Sequence, residues 1–175
     1  MKLFVYGSLL DPVSAERALH RYTSAADLLP VRLPGYCLSW DSIHTIHVDS
    51  LGRETPASFL NLQVDGSGQC LGALIEINPE ELARLIQREK GYALTAVCCS
   101  TAAGQAVDAI TFIDERRPPP PLPPAPAGYL EKIRRGLATM ATEFATAYLA
   151  ELPPPPQPLL TGNYHFVDSG QRAST

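Results

Sequence analysis

The chain has 175 residues, 45% of them hydrophobic and 18% charged, with a net charge of −4 at pH 7. That balance belongs to a globular protein with a sizeable core, and its mild acidity gives no electrostatic reason to expect nucleic-acid binding. No apolar run approaches bilayer-spanning length and no basic leader or apolar signal segment precedes the first strand-like run, so a cytoplasmic protein is expected.

Residues 2–6 predict a strand that ends in Tyr6-Gly7-Ser8-Leu9. Glycine there lets the chain turn and lets a ligand approach the backbone, whose N–H groups would suit a small anion. Asp11-Pro12 start a short helix to about His20, with proline in its first turn. Strand character runs from Leu28 to about Val48, broken by a turn at Pro34-Gly35, and residues 50–56 are rich in turn formers. Ala57 to Val64 and Cys70 to Ile77 read as a hairpin joined by Asp65-Gly66-Ser67-Gly68.

Asn78-Pro79-Glu80-Glu81 predicts a helix start, with a cap, a first-turn proline and early acids. That helix runs to about Glu89 and ends at Gly91. Strands follow near 93–101 and 106–114. Seven of the nine residues from Pro118 to Pro126 are proline, which makes a stiff extended connector. Leu130, Ile133, Leu137, Met140, Phe144 and Tyr148 form one apolar stripe, so a single long helix is expected from Ala127 to Leu149. Prolines from Pro153 to Pro158 stop it, and the last fifteen or so residues read as a loosely held tail. The order of elements gives an α+β class, a curved or barrel-like mixed sheet with a few packed helices. One domain is expected over 1–150, including the connector at 118–126, with a proline-rich tail over 151–175.

Cys98 and Cys99 are adjacent in a strand-like run and so face opposite sides, and the four cysteines read as buried or half-buried free thiols. On a strand, His44 and His47 would also face opposite sides, which argues against a metal pair. Glu89 is different. Leu82, Leu85 and Ile86 mark the inward face of the helix from Pro79, and Glu89 follows Leu82 by two turns. It should therefore project from the buried stripe, unlike Glu80 and Glu81, at a helix end whose carbonyls carry partial negative charge. Burial and that dipole both disfavour a carboxylate, a setting suited to proton transfer. The alternative is a simple ion pair with Arg88, Lys90 or a distant cation.

Tyr6-Gly7-Ser8-Leu9 together with Arg88-Glu89-Lys90-Gly91-Tyr92 resembles the γ-glutamylcyclotransferase superfamily, its ChaC-type glutathione-degrading branch most closely. Gly35-Tyr36, Trp40, Gly72, Tyr129-Leu130, Ile133 and Gly136 extend the resemblance over roughly residues 1–150. The chain departs from the ChaC pattern in having a single glycine, Gly91, before Tyr92. The resemblance implies a γ-glutamylcyclotransferase-like small mixed barrel acting on a small γ-glutamyl amide, with neither cofactor nor metal. The substrate's α-amine would attack its own γ-carbonyl to release 5-oxoproline and a free amine. Glu89 would be the catalytic acid/base, and Tyr6, Gly7, Ser8, Leu9, Tyr92 and Tyr129 would line the substrate site. Two other readings remain: a same-fold enzyme for a γ-glutamylamine or a biosynthetic intermediate, and a non-catalytic adaptor. The adaptor reading rests on Arg117-Pro118-Pro119-Pro120-Pro121-Leu122-Pro123, an R-x-x-P-x-x-P segment of the kind proline-recognising domains bind.

Overall fold

The computed structural model describes residues 1–89 and 91–167. In chain order the elements are β1 (Lys2–Val5), α1 (Pro12–Leu19), β2 (Leu29–Val48), β3 (Arg53–Glu76), α2 (Pro79–Arg88), β4 (Ala93–Ser100), β5 (Ala106–Ile113), α3 (Ala127–Leu137), α4 (Thr142–Glu151) and β6 (Tyr164–Phe166). The sheet runs β3-β1-β5-β4-β2-β6, and an additional β3–β2 pairing closes its first five members into a barrel. β1 lies parallel to β5, while the other pairings are antiparallel, so the barrel is mixed as expected. Among the described residues no helix is long and apolar enough to cross a membrane.

The helix starts are built as the sequence predicts. The Asp11 carboxylate accepts from the Ser14 amide at 3.1 Å ahead of Pro12. Asn78 and Glu81 cap each other reciprocally, the Asn78 side chain accepting from the Glu81 amide and Glu81 from the Asn78 amide. Glu81 is therefore buried, against expectation, and its second oxygen takes the Arg21 guanidinium at 2.7 Å. Ile86, expected inward, is 48% exposed, whereas Leu85 is fully buried.

Two expected turns do not form, and two further expectations change. Neither Pro34-Gly35 nor Asp65–Gly68 reverses the chain: β2 pairs with β3 on both sides of them, Tyr36 opposite Val64 and Pro34 opposite Gln69. The two segments form a local bulge, and the hairpin turn lies between Val48 and Arg53, at the start of the stretch read as rich in turn formers. The single long helix is two helices, because Ala141 is extended (φ −58°, ψ 140°) and α4 restarts at Thr142. The tail is not loose over its described part. Leu160 exchanges backbone hydrogen bonds with Ala125 and Ala127, and β6 pairs with Ile46–Val48 of β2. Residues 168–175 of the expected tail, and Lys90, lie outside the described residues.

The proline connector docks on β3, its Pro123 and Pro124 carbonyls accepting from the Ser58 hydroxyl (2.7 Å) and amide (3.1 Å). All four cysteines are free thiols: Cys70 and Cys99 are buried and Cys37 half-buried as expected, but Cys98 is exposed, because it alternates with buried Cys99 along β4 and takes the outer face.

Candidate active site

The turn after β1 is a short 3-10 helix over Ser8–Leu10, closed by the Leu10 amide on the Gly7 carbonyl at 3.0 Å. At such a helix start the amides of Ser8 and Leu9 have no partner within the turn. α3 lies against this turn with no room for a side chain at the crossing: a Cβ on Gly136 would sit 2.5 Å from the Leu10 carbonyl. A Cβ on Gly7 would likewise sit 2.5 Å from the Tyr129 hydroxyl, one turn ahead of Lys132 on the same helix. On the other side of the barrel, Glu89 caps α2, its amide bonded to Leu85. The chain turns at Gly91 (φ +89°) so that the Tyr92 amide returns to the Glu89 carbonyl at 3.1 Å.

These elements surround one cavity of about 110 Å³ that Tyr6, Gly7, Ser8, Leu9, Glu89, Tyr92 and Tyr129 all line. Residues far apart in sequence thus meet in one place. The phenols of Tyr6, Tyr92 and Tyr129 are pushed well above their usual range by burial, and the Glu89 charge adds to this in each. They remain neutral hydroxyls around a carboxyl group. Tyr6 is less available than the sequence suggests: its hydroxyl donates to the Phe112 carbonyl at 2.8 Å and its carbonyl accepts from Tyr148. Tyr129 meets the backbone amides of Leu60 and Ser8, and packs edge-on against Phe59 with ring centres 5.0 Å apart.

Glu89 does not sit in a purely apolar seat. Its side chain is 18% exposed, and the Arg88 guanidinium lies 3.1 Å from Oε1, so the ion pair weighed as an alternative exists inside the cavity. Arg88 Nη1 is buried and makes no hydrogen bond of good geometry. Lys132 lines the same cavity with its ammonium 5.4 Å from the centre of the Tyr164 ring. Burial lowers the Lys132 pKa, and the charges of Arg88, Arg17 and Arg135 lower it further.

Sequence reasoning missed several lining residues. Lys132 sits one helical turn beyond Tyr129, a spacing that was legible. Tyr164 and Phe166 reach the cavity on β6, and nothing local announces a three-residue strand. His44 also lines it, stacked on Tyr92 at 5.4 Å, while His47 stacks on His165 of β6, so the two histidines do serve opposite sides of β2. Among the described residues no group of three or more His, Cys, Asp or Glu is placed to hold a metal ion.

No family model and no curated protein matches the chain. Solved structures do. A γ-glutamyl cyclotransferase superposes with a TM-score of 0.65 at 16% identity, over 87% of this chain and 88% of that one. A glutathione-specific γ-glutamyl cyclotransferase from yeast gives 0.58 at 17% identity, over 86% of this chain and 94% of its own. YkqA from Bacillus subtilis gives 0.59 at 21% identity, over 87% of this chain and 55% of its own. At these identities the likeness lies in the path of the backbone: the chain has the γ-glutamylcyclotransferase-like α+β barrel fold.

Proposed function

We propose that the protein is a γ-glutamylcyclotransferase that converts a γ-glutamyl amide, either glutathione or a γ-glutamyl amino acid, into 5-oxoproline and a free amine. The observation that carries this reading is the meeting of the Tyr6–Leu9 turn and Glu89 across one cavity ringed by neutral phenols. In the reaction, Glu89 takes a proton from the substrate's α-ammonium, and the freed amine attacks the γ-carbonyl carbon. As the five-membered ring closes, the γ-carbon–nitrogen bond breaks and the same carboxyl group protonates the departing nitrogen. The second proton lost by the ring nitrogen follows the same route, so the leaving group departs as an ammonium and charge balances. Attack is intramolecular, so the protein's task is to hold one conformer and move protons. Arg88 and Lys132 add positive charge that complements the substrate's carboxylates.

Incubating the purified chain with glutathione and with γ-glutamyl-alanine, and measuring 5-oxoproline from each, tests the reading directly. Glu89→Gln keeps the side-chain shape but removes the proton acceptor, and is expected to slow release by roughly 10²–10⁴-fold with the melting temperature nearly unchanged. Near-native turnover by that variant would leave Glu89 a structural partner of Arg88 and remove the proposal's base.

A further inference from the structure

What the Tyr92 hydroxyl can do in the cavity is set by a buried hydrogen-bond chain behind it. Asp114, just past the end of β5, has a fully buried side chain. Its Oδ1 accepts from the Arg116 amide (3.0 Å) and Nε (2.8 Å). Its Oδ2 accepts from Arg116 Nη2 (2.6 Å) and from the Ser42 hydroxyl (2.9 Å). A carboxylate ringed by donors only accepts. The single Ser42 proton therefore lies on the Asp114 contact, and Ser42 Oγ accepts everything else that it meets. The Tyr92 oxygen stands 2.6 Å from Ser42 Oγ, so the proton in that contact belongs to Tyr92. His44 Nε2 lies 2.9 Å from the Tyr92 oxygen and 3.0 Å from Ser42 Oγ, so it carries the hydrogen that both contacts need. Each step fixes the next, from Asp114 outward. The order leaves a lone pair of the Tyr92 oxygen, and no proton, for the cavity that Tyr92 lines.

Resting on the cyclotransferase reading above, we propose that Asp114 and Ser42 hold Tyr92 as a hydrogen-bond acceptor for the attacking α-amine of the γ-glutamyl substrate. Tyr92 is then a catalytic residue, and Ser42 and Asp114 are positioning residues that act through it. After Glu89 has taken a proton, the amine keeps two N–H bonds and one lone pair. An acceptor at Tyr92 binds one N–H and leaves the lone pair free to meet the γ-carbonyl carbon. A Tyr92 that donated its proton would bind that lone pair instead and block attack. Asp114→Asn should reverse the order. The amide oxygen belongs where Arg116 presents two donors, so the amide nitrogen faces Ser42, Ser42 donates to Tyr92, and Tyr92 donates into the cavity.

The test is a double-mutant cycle on 5-oxoproline release from γ-glutamyl-alanine by the full chain, with melting temperatures recorded for every variant. Ser42→Ala and Asp114→Asn are each expected to lower kcat roughly 10-fold, the worth of one ordered hydrogen bond. In a Tyr92→Phe background neither should lower it further, because nothing is left to orient. Equal losses in both backgrounds would mean that Ser42 and Asp114 support the fold only, and would overturn the inference. Ser42→Ala stands alone if Asp114→Asn does not fold. A native chain that releases no 5-oxoproline would sink the cyclotransferase reading and this inference together, whereas turnover with additive losses sinks the inference alone.

Discussion

On the side of the Tyr6–Leu9 turn the cavity is held by close apolar packing, and on the side of Tyr92 by hydrogen bonds among buried polar groups. α3 meets the turn at Gly136 without a side chain between the backbones, and Tyr148 of α4 reaches in to bond the Tyr6 carbonyl. Across the barrel, Asn61 donates to an Asp41 oxygen at 2.9 Å and to the Asp114 carbonyl at 2.8 Å, and accepts from the Asp114 amide at 2.9 Å. Gln63 adds a donor to Asp41 at 2.7 Å. The first wall tolerates no added volume, and the second no missing partner. Packing places a backbone turn where a ligand can approach it, whereas a polar network also decides which way a hydroxyl points.

The contrast breaks most sharply at Asn61. Asn61→Ala orphans the buried Asp114 amide, worth about 1–3 kcal/mol. It also takes one donor each from Asp41 and the Asp114 carbonyl, which keep Ser39, Gln63 and Arg117. The loss of denaturant stability should therefore exceed that of any single surface change. Asn61→Asp keeps the volume but sets a third acid beside Asp41 and Asp114, and should do no better. A loss below that of an exposed hydrogen bond would show that water enters this wall. Gly136→Ala probes the other wall. Its new methyl group meets Leu10 backbone rather than a flexible side chain, so overpacking of about 1–3 kcal/mol is expected. Chemical denaturation reads it, and an unchanged midpoint would mean that α3 slides freely over the turn.

The two walls were unequally legible in the sequence, for the same physical reason. The turn, the caps at Asp11 and Asn78, and the position of Glu89 rest on neighbours a few residues apart, so local spacing announces them. Ser42, Asn61 and Asp114 belong to β2, β3 and the end of β5, and only barrel closure brings them together. No local pattern encodes such a meeting. The same limit explains the misplaced hairpin. The turn chemistry at Asp65 is real, its carboxylate accepting from the Ser67 amide at 3.1 Å, but β2 is long enough to pair on both sides of it. The break between α3 and α4 was hidden because the apolar stripe runs unbroken through Met140, and no glycine or proline marks Ala141, where the backbone leaves the helix.

The smallest expected effect is on acid stability. Burial alone pushes the Asp114 carboxyl up, but hydrogen bonds from the Arg116 side chain and backbone and from Ser42 outweigh it, holding the group below its usual value. Asp11 behaves alike, burial opposed by Arg135 and Ser14. A folded pKa below the unfolded value of about 3.9 contributes stability that is full above that pH and is lost as pH falls through the folded value. The polar wall should therefore loosen only below about pH 4. Comparing acid unfolding of the native chain with Asp114→Asn tests this, since the variant should show a shallower acid limb. An identical limb in both would place the acid sensitivity elsewhere.

Every other described element precedes β6 in the chain. Vectorial synthesis on the ribosome thus delivers the turn, the carboxyl group and all four helices before Tyr164 and Phe166 exist to flank them. A nascent barrel that is already folded would be gaping on that side, and it would acquire these two aromatic rings only as β6, the last of the described strands, zips onto β2.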